Sequence, residues 1–354
     1  MDVARHAGVS KTAVSFAFNQ PSQLNEATRQ RILAVAAELG YRPSPLARRL
    51  AARRTDQIGL VVPQSTHDIF ANPFLPELIR GFGDACDSEG IAVVIVPPMR
   101  GSIERAVERA LVDGLVLLGL GPDHPELRRV REAGTPIVAL DTDAWSDADV
   151  IGIEDELGAE AAGRHLVQLG HGDVAAVSIT PHPDFPGDER TGISARRLAG
   201  LRRGLGLPLD GSADGTGPPR LRVVSTTVST EGGAAAFDLL AADGLPGAIF
   251  AMSDVIAIGV MDAARNAGLA LPDDLSVIGY DDVPAAAWMH PRLTTVHQPI
   301  REKGRRAATR LIELIRGDGT SPPRQDLLPT RLVVRGSTAP ASGQHHRGGG
   351  AVTA

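Results

Sequence analysis

Three residues far apart in the chain have the chemistry to grip a small polar molecule. Asp141 ends the apolar run PIVAL, Asp281 ends LSVIGY, and Arg197 opens RLAGLRRGL. Carboxylates and a guanidinium fork select hydroxyl-rich or charged ligands through bidentate hydrogen bonds in a partly dry cleft. Ser253, with Asp254, stands at the mouth of another apolar run, GAIFAM. On residue type alone, each aspartate is equally well explained as a strand-end turn residue, and the arginine as a surface charge. Catalysis is not indicated. The aspartates have no histidine base arranged beside them, no strand is followed by G-x-G-x-x-G, and no P-loop occurs. No Cys/His cluster has zinc-like spacing, so the expectation is a non-enzyme without metal or cofactor.

The elements that must position these residues begin at DQIGLVVPQ. From there apolar runs at 58–62, 91–96, 114–118, 136–140, 150–153, 174–179, 221–224, 247–251, 275–279 and near 331–334 alternate with amphipathic stretches such as LPELIRGFGDACDSEG. Repeated strand–helix alternation predicts parallel sheets covered on both faces. Some 280 residues of it exceed one doubly wound sheet, which predicts two α/β subdomains. In such a body the ligand belongs in the cleft at the carboxyl ends of both sets of strands.

The N-terminus is different. Residues 1 to about 40 predict three short helices, with Gly8 as a stop, Ser10 capping a helix to about Asn19, and Asn25 capping a third that ends at Gly40. Ile32, Leu33, Ala36 and Leu39 give the third helix an apolar stripe. On a helical wheel the second helix buries Val14, Ala17 and Phe18 and projects Thr12, Ser15, Phe16 and Asn19, with Lys11 at its start. That is the pattern of a helix-turn-helix recognition helix, which presents its first base contacts at its N-terminus. A generic three-helix bundle would give a similar wheel.

Next comes YRPSPLARRLAARRTDQIGLVVP. Ser44 can cap and Pro45 open a short helix with Leu46 and Leu50 on one face and Arg48, Arg49, Arg53 and Arg54 around it. Two such helices, one per subunit, can push Leu50 into a minor groove while arginines hold phosphates. Charge supports a polyanion at this end alone. The first 55 residues carry nine Lys/Arg against three Asp/Glu, net +6, so the remaining chain holds −12 of the total −6.

Together, DVARHAGVSKTAVSFAFNQPSQLNEATRQRILAVAAELGYRPSPLARRL, IGLVVP, NPFLPELIRGF, VDGLVLLG, HLVQLGH, RRLAGLRRGL, SDVIAIGVMDAARNAG, LSVIGYDD and LTTVHQPI resemble the lactose-repressor/galactose-repressor (LacI/GalR) family, in order and over residues 1 to about 335. The resemblance implies a helix-turn-helix domain (1–43), a hinge helix and linker (44–57) and an effector-binding and dimerisation body (58–335) of periplasmic-binding-protein type. Within that body it implies an N-subdomain of about 58–150 and 299–322, and a C-subdomain of about 151–298 and 323–335. Residues 336–354, small, polar and Gly-rich, are expected to be a disordered tail. The implied protein is a ligand-responsive transcriptional regulator, a repressor that binds a near-palindromic operator as a homodimer under control of a small molecule, a sugar or sugar derivative.

Carried over residue by residue, the family's DNA-specificity positions fall on Lys11 and Thr12, with Asn19 also matching, and its minor-groove leucine on Leu50. Ser15, Phe16 and Arg48 complete the expected DNA surface. Asp141, Arg197 and Asp281 match its effector-binding aspartates and arginine. Phe74 matches an aromatic that packs on the ligand, and Ser253 and Arg190 are further lining residues. Departures are informative. Phe16 stands where the family usually has arginine, Val228 where known members put a stacking aromatic, and several residues that normally precede DVA are missing before Met1. Either the chain starts upstream or its first helix frays.

The single cysteine, Cys86, excludes an intramolecular disulfide. No basic-then-apolar leader and no apolar run near the roughly 18 residues of a span occur. The expectation is a cytoplasmic protein without membrane contact.

Overall fold

The computed structural model describes residues 3–19, 21–41, 54–180, 192–209, 219–317 and 322–341. It divides into a unit ending at Asp56 and one beginning at Gln57.

The first unit is helical: α1 (Val3–Ala7), α2 (Lys11–Asn19) and α3 (Glu26–Glu38). Gly8 closes α1 at φ +65°, a left-handed conformation that only glycine adopts freely. Ser10 Oγ accepts from Ala13 N at 3.1 Å, and Asn25 Oδ1 accepts from Thr28 N at 2.8 Å, so both expected caps form. Val3, Ala4, Ala7, Val14, Ala17, Ile32 and Ala36 make the core, with Phe18, Val35 and Leu39 packed against it. Val35 takes the place in the stripe that the wheel gave to Leu33.

The body carries two six-stranded sheets. Its strands are β1 (Gln57–Val61), β2 (Ala92–Val96), β3 (Gly114–Leu118), β4 (Ile137–Leu140), β5 (Asp149–Ile153), β6 (Asp173–Ile179), β7 (Arg220–Thr226), β8 (Ala248–Ala251), β9 (Ser276–Asp281), β10 (Thr294–His297), β11 (Gln325–Leu328) and β12 (Arg331–Val333). The helices are α4 (Thr66–Ala71), α5 (Phe74–Cys86), α6 (Ile103–Arg109), α7 (Arg128–Glu132), α8 (Asp155–Gln168), α9 (Gly192–Leu205), α10 (Thr230–Ala242), α11 (Asp254–Asn266), α12 (Pro284–Trp288) and α13 (Ile300–Arg316). One sheet runs β11-β5-β4-β3-β1-β2, wholly parallel; the other runs β12-β10-β9-β8-β6-β7, with β12 antiparallel to β10. Strands such as GLVLL and IVAL are apolar throughout because helices cover both faces of each sheet. Among the described residues, no helix is long and apolar enough to cross a membrane.

Three expectations need correction. The first subdomain does not end at 150: β5 is buried along its length and pairs with β4 on one side and β11 on the other. Residues 325–328 therefore belong to the first sheet, not to the second subdomain with 331–333. A short polar edge strand such as QDLL carries no periodicity to assign it to either sheet. The tail also begins later than expected. Ser337 is fully buried, its hydroxyl donating to Val277 O at 2.6 Å and accepting from Thr294 N at 2.8 Å, and Ala341 N donates to Leu169 O. Low apolarity suggested disorder, but here hydrogen bonds, not apolar burial, hold the segment. The proposed hinge helix with Arg48 and Leu50, and Arg190, lie outside the described residues.

One contact matters for the site. A Cβ on Gly81 of α5 would run into the Arg301 carbonyl, and one on Gly304 of α13 into the Leu78 carbonyl. The two glycines let these helices touch backbone to backbone. That contact places Phe74, at the start of α5, over the side chain of Lys303 from α13.

Candidate functional site

Asp141, Asp281, Ser253 and Arg197 meet at the carboxyl ends of the strands. Asp141 follows β4 at φ +52° and Asp281 closes β9 at φ +118°. Non-glycine residues held in the left-handed region mark backbone that the surroundings over-determine, a feature that clusters at functional sites. All four are buried.

Lys303 and Gln298 tie Asp141, Asp281 and Ser253 into one hydrogen-bonded network, which Arg197 joins through an ion pair with Asp281. Lys303 Nζ donates to Asp141 Oδ2 at 2.5 Å and to Gln298 Oε1 at 2.7 Å. Gln298 Nε2 donates to Asp281 Oδ1 at 2.6 Å, and Ser253 Oγ to Asp281 Oδ2 at 3.1 Å. Arg197 Nη1 lies 4.0 Å from Asp281 Oδ1 and donates to the Met252 carbonyl, while its Nε donates to Asp155 Oδ1 at 2.8 Å. The guanidinium stacks 3.7 Å from the centre of the Tyr280 ring. Phe74 covers Lys303 with its ring centre 4.9 Å from Nζ.

Burial sets the electrostatics. It pushes the Asp281 carboxyl up to about 6, although Arg197, Gln298, Lys303 and Ser253 pull the other way. Asp254, also fully buried beside Asp281, is raised well above the usual carboxylate range by burial and by that neighbour. Burial opposes the Arg197 charge, but Asp155 and then Tyr280 and Asp281 more than offset it, so its pKa is raised.

The network thus brings together Asp141, Arg197, Ser253 and Asp281, with Phe74 over Lys303. It adds Lys303, Gln298, Asp155 and Tyr280. Lys303 left a signal: it sits on the face of α13 defined by Ile300, Gly304, Ala307, Ala308, Leu311 and Ile312, where a charge interrupts an apolar stripe. Asp155 and Gln298 left none, being ordinary polar residues at a helix start and a loop. Val228 packs against the apolar core of the second sheet. A cavity of about 460 Å³ adjoins the network at Gln298 and is lined also by Glu77, Asp84, His297 and Arg305 among others. Its charges are matched in pairs, Arg301 with Asp84, Arg305 with Glu302 and His297 with Asp282, leaving no obvious group to select a ligand.

On α2, Lys11 and Thr12 are exposed and Ser15 and Phe16 half-buried, opposite Val14 and Ala17. Residues 1–44 match the profile of bacterial regulatory proteins of the lacI family, and residues 164–338 that of a periplasmic binding protein-like domain. The ribose operon repressor of Escherichia coli K12 is 34% identical over 345 residues, covering 95% of this chain and 98% of its own.

The chain belongs to the LacI family. It is a DNA-binding, ligand-responsive transcriptional regulator with a helix-turn-helix head and a periplasmic-binding-protein-like body. Solved structures agree over nearly the whole length of this LacI-family chain. A complex of the transcriptional regulator CelR with cellobiose superposes with a TM-score of 0.69 at 30% identity, covering 95% of this chain and 98% of that one. The lac repressor dimer bound to operator and the anti-inducer ONPF gives 0.73 at 28% identity, covering 96% and 98%.

Proposed function

We propose that this LacI-family regulator is a cytoplasmic repressor that binds a near-palindromic operator as a homodimer and is switched by a small hydroxyl-rich molecule, a sugar or sugar derivative. The observation that carries the reading is the convergence of Asp141, Arg197, Ser253 and Asp281, from four separate stretches, on one buried network at the strand ends of both sheets. Carboxylates in that position accept ligand hydroxyls, and Phe74 supplies an apolar face for a sugar ring. Arg190 is proposed as a further lining residue. The named relatives support the ligand class, since one represses a ribose operon and another was solved with cellobiose.

At the other end, Lys11, Thr12, Ser15, Phe16 and Asn19 read the major groove, with Arg48 on phosphates and Leu50 in the minor groove. The lac repressor dimer on its operator supports this assignment. In this reading the protein is not an enzyme and needs no cofactor.

A gel-shift and footprint of flanking genomic fragments, with and without neutral sugars, tests it. A protected near-palindrome whose occupancy changes with a sugar is expected, and occupancy should fall steeply with salt. Absence of any bound fragment at low salt, with or without sugars, overturns the reading.

A further inference from the structure

Lys303 is a lysine buried in the network of the proposed effector site, and nothing in the repressor reading requires it. We infer that Lys303 sets the charge class of the effector: paired with Asp141, it makes the first-subdomain wall of the cleft an acceptor for a neutral polyol and closes it to anionic sugar derivatives. The inference rests on the reading that this cleft binds a small polar effector.

A buried ammonium must have its donors matched. The Lys303 side chain is wholly inaccessible, and Asp141, Gln298 and the face of Phe74 occupy its surroundings. A carboxylate and an amide oxygen take two of the three ammonium N–H groups, and the Phe74 ring, 4.9 Å from Nζ, covers it as well, so a ligand phosphate or carboxylate meets an ammonium already engaged. Asp141 is the opposite case. Its Oδ2 is held by Lys303, while its Oδ1 is buried with no partner. A ligand hydroxyl can give that oxygen a proton donor; an ionised acid group has no proton to offer.

Charge points the same way. Among the described residues, each cation at the network is already paired: Lys303 with Asp141, Arg197 with Asp155 and Asp281, and Arg196 with Asp155 and Asp143. Arg197 is already engaged by Asp155 and the Met252 carbonyl. Among the described residues, an incoming anion would therefore meet no uncommitted cation. Lys303 also fixes Gln298: with Oε1 turned to the ammonium, its Nε2 must face Asp281 in the other subdomain. Lys303 is thus a positioning residue. It acts through Asp141 and Gln298 and does not touch the ligand.

The test uses the full chain at about pH 8, where Asp281 is ionised, and calorimetry or thermal shift with matched pairs. These are D-glucose and D-glucuronate, D-galactose and D-galacturonate, and D-ribose and D-ribose 5-phosphate, with cellobiose as an added neutral sugar. The wild type is expected to bind at least one neutral sugar and to bind its acidic partner at least about tenfold more weakly, a lower bound on what an unmatched buried charge costs. Lys303→Met should weaken the neutral sugar by at least about tenfold while circular dichroism shows the fold intact. Asp141→Asn leaves the ammonium without its carboxylate, so the neutral-to-acid affinity ratio should swing toward the acid by about tenfold or more.

A wild type that holds the acid as tightly as the neutral partner overturns the inference. So does an unchanged ratio in Asp141→Asn, or undiminished affinity in Lys303→Met. If Lys303→Met does not fold, Lys303→Gln replaces it; if none of the three variants folds, the pair is structural and the inference fails. Should no sugar in the panel bind the wild type, the effector reading itself fails and takes this inference with it. Binding with unchanged ratios refutes the inference alone.

Discussion

Arg196 Nη1 donates to Asp143 Oδ1 at 2.5 Å, joining α9 of the second subdomain to the loop after β4 of the first. The same guanidinium donates through Nε to Asp155 Oδ2 at 3.0 Å, and Gly192 N donates to Asp143 Oδ2 at 3.1 Å. The bridge therefore crosses between the subdomains next to the buried network. Arg196 and Asp143 side chains are 26% and 47% exposed, so solvent screens the pair and its worth is about 1 kcal/mol or less. The bridge favours the arrangement of the subdomains in which it forms, and a ligand that binds that arrangement is helped by whatever already favours it. Arg196→Gln should weaken effector binding by about two- to fivefold, the equivalent of that energy, and enlarge the ligand-free radius of gyration in solution scattering. Unchanged affinity and radius would show that the bridge does not bias how the subdomains are arranged.

Asp281 gives the effector site a pH dependence with a definite sign. Its carboxyl titrates near 6, raised by burial against the pull of Arg197, Gln298, Lys303 and Ser253. Below that value it carries a proton and loses acceptor capacity, so a ligand hydroxyl is held less well. Affinity should fall by about tenfold between pH 7 and pH 5, one decade for a single group that is mostly protonated at the lower value. Stability runs the other way. A carboxyl whose folded pKa is raised contributes most below its ordinary range and loses that contribution as pH rises through about 6. Calorimetric titrations of wild type and Asp281→Asn decide the matter: the variant binds more weakly but with a flat profile, and a variant profile as steep as wild type assigns the titration elsewhere.

What the sequence revealed, and what it hid, follows from how far each signal reaches. Local signals were reliable: Ser10 and Asn25 cap the helices they precede, and apolar runs such as PIVAL and GAIFAM became buried strands. Asp141, Ser253 and Asp281 were legible because strand ends in alternating α/β chains converge at one edge. Sheet membership was not legible for β5 and β11, since a strand's partners are set by chain crossings that leave no mark on its own residues. Lys303 was readable only by asking why a charge stands on the apolar face of α13. Asp155, by contrast, acquires its role only when α9 brings Arg197 to it.

Ser337 makes a short segment near the C-terminus part of the second sheet's support. Its buried hydroxyl bridges Thr294 N and Val277 O, and Val277 N donates to Ser337 O at 2.8 Å. Ser337→Ala removes one hydroxyl and strands two buried backbone groups, a loss of about 2 kcal/mol or more. A drop in melting temperature of about 4 °C or more is expected by scanning calorimetry, and truncation after Arg335 should cost more still. A melting temperature within a degree of wild type would mean that the strap is incidental.

Phe16 bears on the operator. It is a half-buried aromatic on α2 that does not join the apolar cluster around Val14, Ala17 and Ile32, and it shares its side of the helix with exposed Thr12. A phenyl ring cannot make the bidentate contact to guanine that an arginine makes, but it can pack on a thymine methyl in the major groove. Burying one methyl is worth about 0.8 kcal/mol, or roughly fourfold in affinity per half-site. Selection from a randomised operator should therefore give an A·T pair at one position in each half, and Phe16→Arg should move that position to G·C. Replacing the thymine by deoxyuridine, which lacks only the methyl, should weaken wild type by that fourfold and leave Phe16→Ala unaffected. If base preferences are the same in all three proteins and deoxyuridine costs nothing, Phe16 rests on the sugar edges of the groove and reads no base.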